Sequence, residues 1–510
     1  MKPPPLNAHP VLSTDEAKRF EAALFGGEEA NEWAAMSRAG AAVGAAVLKD
    51  FEEIGGFPRD GARVLVLVGK GHNGGDALLA AKFILAAVPS AHTKVVFVFS
   101  ERALRPLALR AWQALMHSAP GRVQIARTLS ECYALCLDGI FGFQFRPPVE
   151  ARVAAPLARV NALPVRLRAA VDLPSGLGAT EVFRADFTYA TGSVKAPLFE
   201  ASNQAHVGRI RYLDLGFFEE GRSVPDAAGS GKGSHDFVLT PVVLGPLRSL
   251  RDPQTDKRTY GHLFVIGGSR SFPGAVLMSV LAALKAGAGL VTAFVPESLA
   301  AAYAAQVPEA MWVAWPETPE GGLALEGAHL LRERITRATA LLIGPGLSRE
   351  AETLALAADI VETVEVPLVI DADALRPEIV SMGRASRVLT PHAGEFSRLA
   401  GGKDVKTFSA EKDVVTVLKG PTTRVSDGAV VGHSFFGGPV LARGGSGDLL
   451  AGMIGGILAG SAQEPFAAAC SGVVWHGLAA DALARERGQV AVRTTELLEF
   501  LPRVLREDGQ

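Results

Sequence analysis

The amino-acid sequence predicts an α/β protein built from two domains. Short apolar runs alternate with helical segments in both halves of the chain, which is typical of largely parallel sheets. The chain has 510 residues, of which 48% are hydrophobic and 20% charged, so it can fill more than one core. Residues 219–236 are polar, small and rich in glycine, and we place the domain boundary there.

The overall charge and apolar content narrow the possible partners. A formal net charge of -2 and the lack of a Lys or Arg run argue against nucleic-acid binding. The beginning of the chain lacks the apolar core of a signal peptide, and the apolar runs are shorter than the ~20 residues that span a bilayer. We expect a soluble cytoplasmic protein with no membrane partner. Three cysteines cannot form a disulfide framework, so we expect buried or inert thiols at Cys132, Cys136 and Cys470.

The first half begins with two predicted helices and continues with six predicted strands. Ser13 and Glu16 have the spacing of a capping box that opens a helix, and a second, alanine-rich helix spans residues 31–51. The strands are predicted at residues 63–68, 94–100, 134–138, 168–172, 187–190 and 209–214. In a parallel sheet, the carboxyl ends of such strands form the ligand-binding edge.

The second half repeats this alternation after a short connector. Residues 229–234 resemble a P-loop, but Gly233 stands where Ser or Thr must follow the lysine, so a flexible connector is the better interpretation. Strands are predicted at residues 262–266, 290–295, 340–343, 368–371, 387–389 and 414–418, with a helix at 275–286 and long helices after Asp448. The second half is therefore predicted to be another α/β domain.

A glycine-rich loop follows the first strand. It reads Gly69-Lys-Gly-His-Asn-Gly-Gly-Asp76 and precedes a helix predicted at residues 77–87, where free N–H groups can face a ligand. As a bare pattern, its glycines together with Glu101 match a dinucleotide fingerprint. Asp76, in the predicted first turn of the helix, would compete with a pyrophosphate for the helix end. We therefore favour binding of a polar ligand and a cation.

Two further strand ends carry carboxylates. Asp138 and Asp172 each follow a predicted strand, and Ser175 comes shortly after the second. Because parallel strand ends meet at one edge, Asn73, Asp138 and Ser175 could supply oxygens to a hard cation, and Asp172 is placed for proton transfer. Taken singly, each of these side chains could equally cap a turn.

These three loops resemble the YjeF N-terminal family, the NAD(P)H-hydrate epimerases. The resemblance covers residues 11–218 and implies a Rossmann-like three-layer sandwich over residues 1–220. It implies that Asp172 is catalytic and that potassium binds at Asn73, Asp138 and Ser175. The residues that it implies for contact with the hydrate are His72, Asn73, Gly74, Gly75, Asp76, Gly142, Phe143, Gln144, Phe145, Arg146, Pro147, Pro148 and Asp172.

A second glycine-rich helix start lies near the end of the chain. Gly444-Gly-Ser-Gly-Asp448 precedes an apolar helix predicted at residues 449–458, so its N–H groups could hold a phosphoryl group while Asp448 takes a hydroxyl proton. Asp371 and Glu395 could orient Mg²⁺ through water, and Lys419 could face nucleotide phosphates. The alternatives are an Asp-capped helix start without a ligand and a solvated loop charge at Lys419.

This half resembles the YjeF C-terminal family, the ADP- or ATP-dependent NAD(P)H-hydrate dehydratases of the ribokinase-like superfamily. The resemblance covers residues 252–502 and implies a ribokinase-like three-layer sandwich over residues 251–510, with 221–250 as linker and domain entry. Asp448 would be catalytic. The residues implied for the hydrate are Ala275, Gly346, His392 and Asp448, and those implied for the nucleotide are Lys419, Gly420, Pro421, Thr422, Thr423 and Gly447.

Some segments depart from the two family patterns. His72 stands in place of an Asn, residues 142–148 form an unusual loop, and residues 433–439 lack the usual Asn. Residues 401–413 look too short to hold the helix that the C-terminal family carries there.

The resemblances together predict a bifunctional repair enzyme that epimerises NAD(P)H-hydrate and dehydrates its S form. We expect K⁺, Mg²⁺ and a nucleotide co-substrate, with ADP favoured over ATP because fusion of the two domains is the bacterial arrangement. The family also implies a homo-oligomer. Two alternatives remain: a kinase for a vitamin-like alcohol, and a degenerate pair of domains that binds ligands without catalysis.

Overall fold

A computed structural model describes residues 9–126, 129, 132–218, 236–460 and 464–507. The chain forms two compact units. Of the described residues, 9–218 and 484–489 belong to the N-terminal unit, and 236–483 and 490–507 belong to the C-terminal unit. Most of the predicted boundary, residues 219–235 with the P-loop-like sequence at 229–234, lies outside the described residues.

The N-terminal unit contains a seven-stranded parallel sheet in the order β4-β3-β2-β5-β6-β7-β9. A separate parallel pair joins β1 to β8. The strands are β1 (His9–Leu12), β2 (Arg63–Val68), β3 (His92–Phe97), β4 (Val123–Ile125), β5 (Tyr133–Gly139), β6 (Val165–Val171), β7 (Phe187–Thr191), β8 (Val194–Lys195) and β9 (Arg209–Leu213). The helices are α1 (Thr14–Phe25), α2 (Glu29–Phe51), α3 (His72–Ala87), α4 (Pro106–Ser118), α5 (Ala151–Ala162) and α6 (Gln204–Val207).

Strand β2 shows why this sheet is covered on both faces. Its side chains alternate between the two faces, so that Val64 and Val66 belong to a core cluster with helices α2, α3 and α4. Leu65 and Leu67 belong to another cluster, which includes residues of α5. A strand buried on both faces reads as a continuous apolar run, and the resulting helix–sheet–helix layering confirms the predicted three-layer arrangement.

The C-terminal unit contains ten strands in the order β13-β12-β11-β14-β15-β16-β17-β18-β19-β10. Neighbours from β13 to β17 pair in parallel, whereas β18 is antiparallel to both β17 and β19. The strands are β10 (Asp236–Val238), β11 (His262–Ile266), β12 (Leu290–Pro296), β13 (Met311–Trp315), β14 (Ala340–Ile343), β15 (Leu368–Ile370), β16 (Arg387–Leu389), β17 (Val415–Leu418), β18 (Thr423–Ser426) and β19 (Val431–Ser434).

Helices cover this sheet as well. Helices α7 and α14 pack on β11, and residues of α10, α12 and α13 share a core cluster with Phe264 and Ile266 of the same strand. The helices are α7 (Pro273–Lys285), α8 (Glu297–Gln306), α9 (Ala328–Arg332), α10 (Ala351–Thr363), α11 (Pro377–Val380), α12 (Ala393–Ala400), α13 (Val405–Lys412), α14 (Ser446–Gly460), α15 (Pro465–Arg487) and α16 (Leu497–Arg506). The predicted α/β fold class is confirmed for both units.

One local prediction is confirmed and two are wrong. Ser13 caps α1 in a capping box with Glu16, as predicted. Helix α3 begins at His72 rather than at residue 77, so Asp76 is its fifth residue and does not lie in the first turn. The segment 401–413 does hold a helix, α13, because Asp404 caps its first backbone N–H groups and an eight-residue helix fits.

One helix and the cysteines bear on the predictions from composition. Helix α15 is long and apolar enough to cross a membrane, but 83% of its most apolar 18-residue stretch is buried inside the protein, as in a core helix. The three cysteines are free; Cys136 and Cys470 are buried, and Cys132 is exposed.

Candidate active sites

The glycine-rich segment of the N-terminal unit follows β2 at the point where the strand order reverses. Strands β3 and β5 lie on opposite sides of β2, which is where open α/β sheets bind ligands. A Cβ atom on Gly69 would lie 1.9 Å from the carbonyl oxygen of Ile140, and one on Gly74 would lie 2.5 Å from that of Gly69. These two glycines are therefore required by backbone packing, whether or not a ligand binds.

The three residues predicted to hold potassium lie in one hydrogen-bonded group. Ser175 donates to Asp138 through its backbone N–H and its hydroxyl, both at 2.7 Å. The backbone N–H of Phe141 donates to the Ser175 hydroxyl at 2.9 Å, and Nδ2 of Asn73 donates to the Phe141 carbonyl at 2.9 Å. Asp138 is fully buried, and desolvation raises its pKa to about 6 although Ser175 and Ile140 donate to it. The cluster concentrates oxygen atoms at the sheet edge.

Asp172 lies directly after β6 and forms a buried ion pair with Lys195. Its backbone is in the left-handed region with a φ of 66°. Lys195 Nζ lies 2.5 Å from Oδ1, and the N–H of Phe143 donates to Oδ2 at 3.2 Å. The side chains of Lys195 and Asp172 are only 1% and 7% exposed. Lys195 was not predicted from the sequence, and its only sequence signal is a lysine among apolar neighbours.

Two more carboxyl groups surround this pair. Desolvation, followed by the negative charges of Asp172 and Glu21, raises the pKa of Asp76 well above its usual value, and its Oδ1 is buried without a partner in the described part of the chain. Desolvation likewise raises the pKa of Glu21 to about 7, against the opposing charge of Lys195. Glu21 lies on α1 and was also missed. Asp76 therefore belongs to a cluster of carboxyl groups around Asp172 and is not a capping residue in the first turn of α3.

The loop at residues 142–148 closes over this centre. A Cβ on Gly142 would lie 3.2 Å from Asp172 Oδ2 and 3.6 Å from Asn73 Cγ, so the loop contacts both predicted sites. Phe145 stacks on Phe141 with ring centroids 4.6 Å apart. Arg146 pairs with Asp15 of α1 at 3.1 Å. The exposed residues of the loop are Gln144, Arg146, Pro147 and Pro148, and exposed His72 lies nearby in α3, where it faces Glu32 at 3.5 Å.

In the C-terminal unit, Asp448 lies in the first turn of α14 and is half-buried. Desolvation and then the negative charge of Asp371 raise its pKa to about 6, although Lys419 opposes the shift. Lys419 Nζ lies 3.1 Å from Asp371 Oδ1, which also accepts from the hydroxyl of Thr390 at 2.6 Å. A Cβ on Gly447 would lie 3.0 Å from Lys419 Nζ, so the lysine reaches the start of α14.

One of the predicted hydrate contacts, Ala275, is linked to Asp448 through Ser279. The hydroxyl of Ser279 donates to the carbonyl oxygens of both Ala275 and Asp448, at 3.2 and 3.0 Å. A Cβ on Gly346, whose φ is 65°, would lie 3.1 Å from Ala275 Cβ. His392 caps α12 through Nδ1, and its backbone forms a parallel β-bridge with Lys419. The structure thus connects Gly346 and Ala275 with the start of α14, and His392 with Lys419.

The predicted nucleotide residues form the turn between β17 and β18. Lys419 follows β17 and its N–H donates to the Pro391 carbonyl at 2.9 Å. Thr423 begins β18. Gly420 and Pro421 are exposed and Thr422 is half-buried, so the turn is open to a ligand beside Gly447.

A buried histidine behind this centre was not predicted. His476 of α15 is 5% exposed and hydrogen-bonds to the backbone of Ser446. Desolvation, followed by the charge of Lys419, lowers its pKa to about 4, so the ring is neutral at physiological pH. Sequence reasoning missed it because a lone histidine in an apolar helix has no distinguishing pattern.

Comparison with known proteins gives the family. A model described as NAD(P)H-hydrate dehydratase matches residues 263–503, and one described as YjeF-related protein N-terminus matches residues 33–196. A solved ADP/ATP-dependent NAD(P)H-hydrate dehydratase from Bacillus subtilis is 28% identical, with a TM-score of 0.45, and covers 52% of this chain and 96% of its own.

Curated relatives match nearly the whole chain. The bifunctional NAD(P)H-hydrate repair enzyme Nnr of Moorella thermoacetica is 34% identical over 87% of both chains. The protein of the same name from Gloeobacter violaceus is 34% identical over 98% of both chains. The predicted family is confirmed: the chain belongs to the bifunctional NAD(P)H-hydrate repair enzymes.

Proposed function

We propose that the chain repairs hydrated nicotinamide cofactors through two reactions. The N-terminal unit interconverts the R and S forms of NAD(P)H-hydrate, and the C-terminal unit dehydrates the S form with ADP, or less favourably ATP, as co-substrate. The observation that carries this proposal is that each unit sets one carboxylate, Asp172 or Asp448, beside a lysine and glycine-lined backbone. The epimerase domain would span residues 1–220 and the dehydratase domain residues 251–510, joined by 221–250.

In the first reaction Asp172 moves a proton. The hydrate carries a hydroxyl group on the carbon next to the ring nitrogen. Asp172 would carry the hydroxyl proton to that nitrogen as the C–N bond opens to an aldehyde, and return it when the ring closes on the other face. Lys195 supplies a buried positive charge to Asp172. The loop at residues 142–148 would cover the ligand, and His72, Asn73, Gly74, Gly75 and Asp76 would form the opposite wall.

Potassium fits the cluster at Asn73, Asp138 and Ser175. These residues offer amide, carboxylate and hydroxyl oxygens, which suit a hard cation. Within the described residues, Asp138 is held by hydrogen bonds and not by an ion pair, so its buried charge lacks a cationic side chain. A bound potassium would supply that positive charge and fix the loops after β5 and β6.

In the second reaction Asp448 takes the proton of the hydrate's hydroxyl. The oxygen attacks the terminal phosphoryl group of the nucleotide, and the bond to the leaving nucleotide breaks. The ring nitrogen's electron pair then expels inorganic phosphate, and loss of a proton from the neighbouring ring carbon forms the double bond that restores the dihydropyridine. The N–H groups at residues 444–447 would hold the transferred phosphoryl group. Lys419 and Gly447, with Gly420, Pro421, Thr422 and Thr423, would hold the nucleotide, while Ala275, Gly346 and His392 would contact the hydrate.

The two carboxylates predicted to orient Mg²⁺ do not form a free site for it. Asp371 Oδ1 is taken by Thr390 and Lys419, and Glu395 accepts from the His392 N–H at 2.8 Å. No group of three metal-binding His, Cys, Asp or Glu side chains occurs among the described residues. We therefore propose Mg²⁺ only as the ion that accompanies the nucleotide phosphates.

We also propose the compartment, the oligomeric state and the partners of this protein. The small net charge of -2 supports a protein that binds no nucleic acid, and we propose a cytoplasmic homo-oligomer without a membrane partner.

The test is an assay with purified protein and separated hydrate epimers. With S-hydrate and ADP we expect restored dihydropyridine absorbance and released inorganic phosphate; R-hydrate should react only through prior epimerisation. Asp172→Asn should lose use of the R form and keep use of the S form. No restoration with either nucleotide would refute the dehydratase assignment, and a stable phosphorylated product would indicate a kinase instead.

A further inference from the structure

A small cavity lies between the segments that follow β14 and β15 and helix α12, which follows β16. It has a volume of about 140 Å³. Its charged lining residues are Arg349, Arg376, Arg398, Asp373 and Glu395. Apart from Glu395, the reactions proposed above assign no role to these residues.

The cavity has more positive than available negative charge. Arg349 pairs with Asp373 at 3.1 Å, and Glu395 is engaged by the backbone of His392. Neither Arg376 nor Arg398 forms an ion pair within the described residues; Arg376 Nε only approaches the Asp373 carbonyl at 3.4 Å. Two guanidinium groups therefore line the cavity without a carboxylate of their own.

The cavity adjoins the residues proposed to hold the hydrate. The backbone N–H of Ser348, two residues after Gly346, donates to Asp373 at 3.3 Å. Glu395 is bonded to His392, which is proposed to contact the hydrate. The negative charge of Asp373 also contributes to the raised pKa of Asp448, so the cavity is electrostatically close to the reacting group.

We propose that this arginine-lined cavity binds a phosphate group of the dinucleotide hydrate. The inference rests on the proposed dehydratase function and names a subsite for it. A hydrated nicotinamide dinucleotide carries a pyrophosphate, and its phosphorylated form carries a further phosphate on the adenosine ribose. Planar guanidinium groups recognise phosphate oxygens in pairs. A cavity of about 140 Å³ admits several waters at about 30 Å³ each, so it accommodates a phosphate-sized group and not the whole dinucleotide.

The cavity adjoins residues proposed for both ligands. Asp373 is two residues from Asp371, which Lys419 holds, and Glu395 is bonded to His392. The KM for nucleotide therefore has to be measured beside the KM for hydrate, because only a rise in the hydrate KM assigns the cavity to the hydrate's phosphate. Binding there would fix the far part of the hydrate while its hydroxyl faces Asp448.

The test compares Arg398→Gln and Arg398→Lys with wild type on NADH-hydrate and NADPH-hydrate. Loss of a charged hydrogen bond predicts a rise of about tenfold or more in the KM for hydrate, with kcat and the KM for nucleotide unchanged. Arg398→Lys should recover part of the loss. Arg332→Gln, which removes an exposed ion pair with Asp359 on the same unit, is the matched control and should leave all values unchanged.

The pattern of losses identifies which phosphate binds. An equal loss for both hydrates assigns the pyrophosphate, and a loss confined to NADPH-hydrate assigns the ribose phosphate. Unchanged hydrate KM, or a rise only in nucleotide KM, overturns the proposal.

A binding measurement tests the phosphate subsite independently of the dehydratase activity. If wild-type protein restores no dihydropyridine, the proposed function fails, yet calorimetry with NAD⁺ and NADP⁺ still probes the cavity. Arg398→Gln should weaken binding of at least one of them about tenfold; equal affinities for variant and wild type would overturn the subsite.

Discussion

Each of the two centres has a carboxylate at a sheet edge and a lysine near it, but the lysine contacts that carboxylate in only one of them. In the N-terminal unit Lys195 contacts Asp172 directly, and both groups are buried. In the C-terminal unit Lys419 contacts Asp371 instead, and desolvation raises the pKa of Asp448 to about 6. A lysine near a carboxylate that is proposed to be catalytic need not be its partner, because a neighbouring carboxylate can take the ion pair.

The largest expected effect is the loss of one reaction, but not of the other, when the carboxylate of one centre is replaced. Asp448→Asn should slow dehydration of S-hydrate by about 10³-fold, because loss of a proton acceptor costs 10²–10⁴ in rate. Epimer exchange, followed by chromatography of the two hydrates, should stay at the wild-type rate. Asp172→Asn is the matched variant and should show the opposite pattern. Loss of both activities in either variant would mean that the centres are not independent.

The next effect concerns the stability of the buried pair. Lys195→Met leaves Asp172 without its counter-charge and should lower the free energy of unfolding of the N-terminal unit by about 3 kcal/mol. Lys419→Met should cost less, since the Lys419 side chain is 22% exposed and Asp371, although only 2% exposed, keeps the hydrogen bond from Thr390. Urea denaturation followed by far-UV circular dichroism measures both changes.

A double variant distinguishes lost charge pairing from lost packing. Asp172→Asn combined with Lys195→Met removes both charges and should recover most of the stability that Lys195→Met alone loses, without recovering epimerisation. If the double variant is as unstable as the single one, the role of Lys195 is packing and the contrast between the centres disappears.

The third effect is a pH dependence of the C-terminal centre. Asp448 must be ionised to accept a proton, and its pKa is raised to about 6. The value of kcat/KM for dehydration should therefore fall about tenfold per pH unit below pH 6 and level off above it. Lys419→Met removes the charge that opposes the shift and should move this limb to higher pH. A limb near pH 4 in wild type would contradict the desolvation of Asp448.

The sequence predicts the parts of these centres that follow from the spacing of apolar residues and glycines. Strands β2, β11 and β14 were predicted with their observed bounds because each is an apolar run that ends directly before a glycine. The grouping of Asn73, Asp138 and Ser175 follows from the parallel edge rule, and the structure brings these residues together, although their role as ligands stays a prediction.

What the sequence could not predict are partners brought in by tertiary packing. Lys195 lies in a two-residue strand, and Glu21 and His476 lie on helices outside the two glycine-rich motifs. Asp76 was placed in a first turn because the glycines suggested a longer loop than the three-residue turn that precedes α3. The glycine-rich motifs thus locate the ligand-binding edge of each sheet, whereas the charged groups that shift the pKa values there come from elements remote in sequence.

The smallest effect compares two glycines that lie against a charged atom. A Cβ on Gly142 would lie 3.2 Å from Asp172 Oδ2. This carboxylate cannot easily shift, because Lys195 contacts its Oδ1 and the N–H of Phe143 donates to its Oδ2. Gly142→Ala should therefore cost about 1 kcal/mol, roughly a fivefold loss in the rate of epimerisation. A Cβ on Gly447 would lie 3.0 Å from Lys419 Nζ, the free end of a flexible side chain that can shift. Gly447→Ala should thus change the KM for nucleotide by less than Gly142→Ala changes epimerisation, as steady-state kinetics on both variants would measure. The reverse order would mean that the carboxylate held by its lysine is the more adaptable of the two centres.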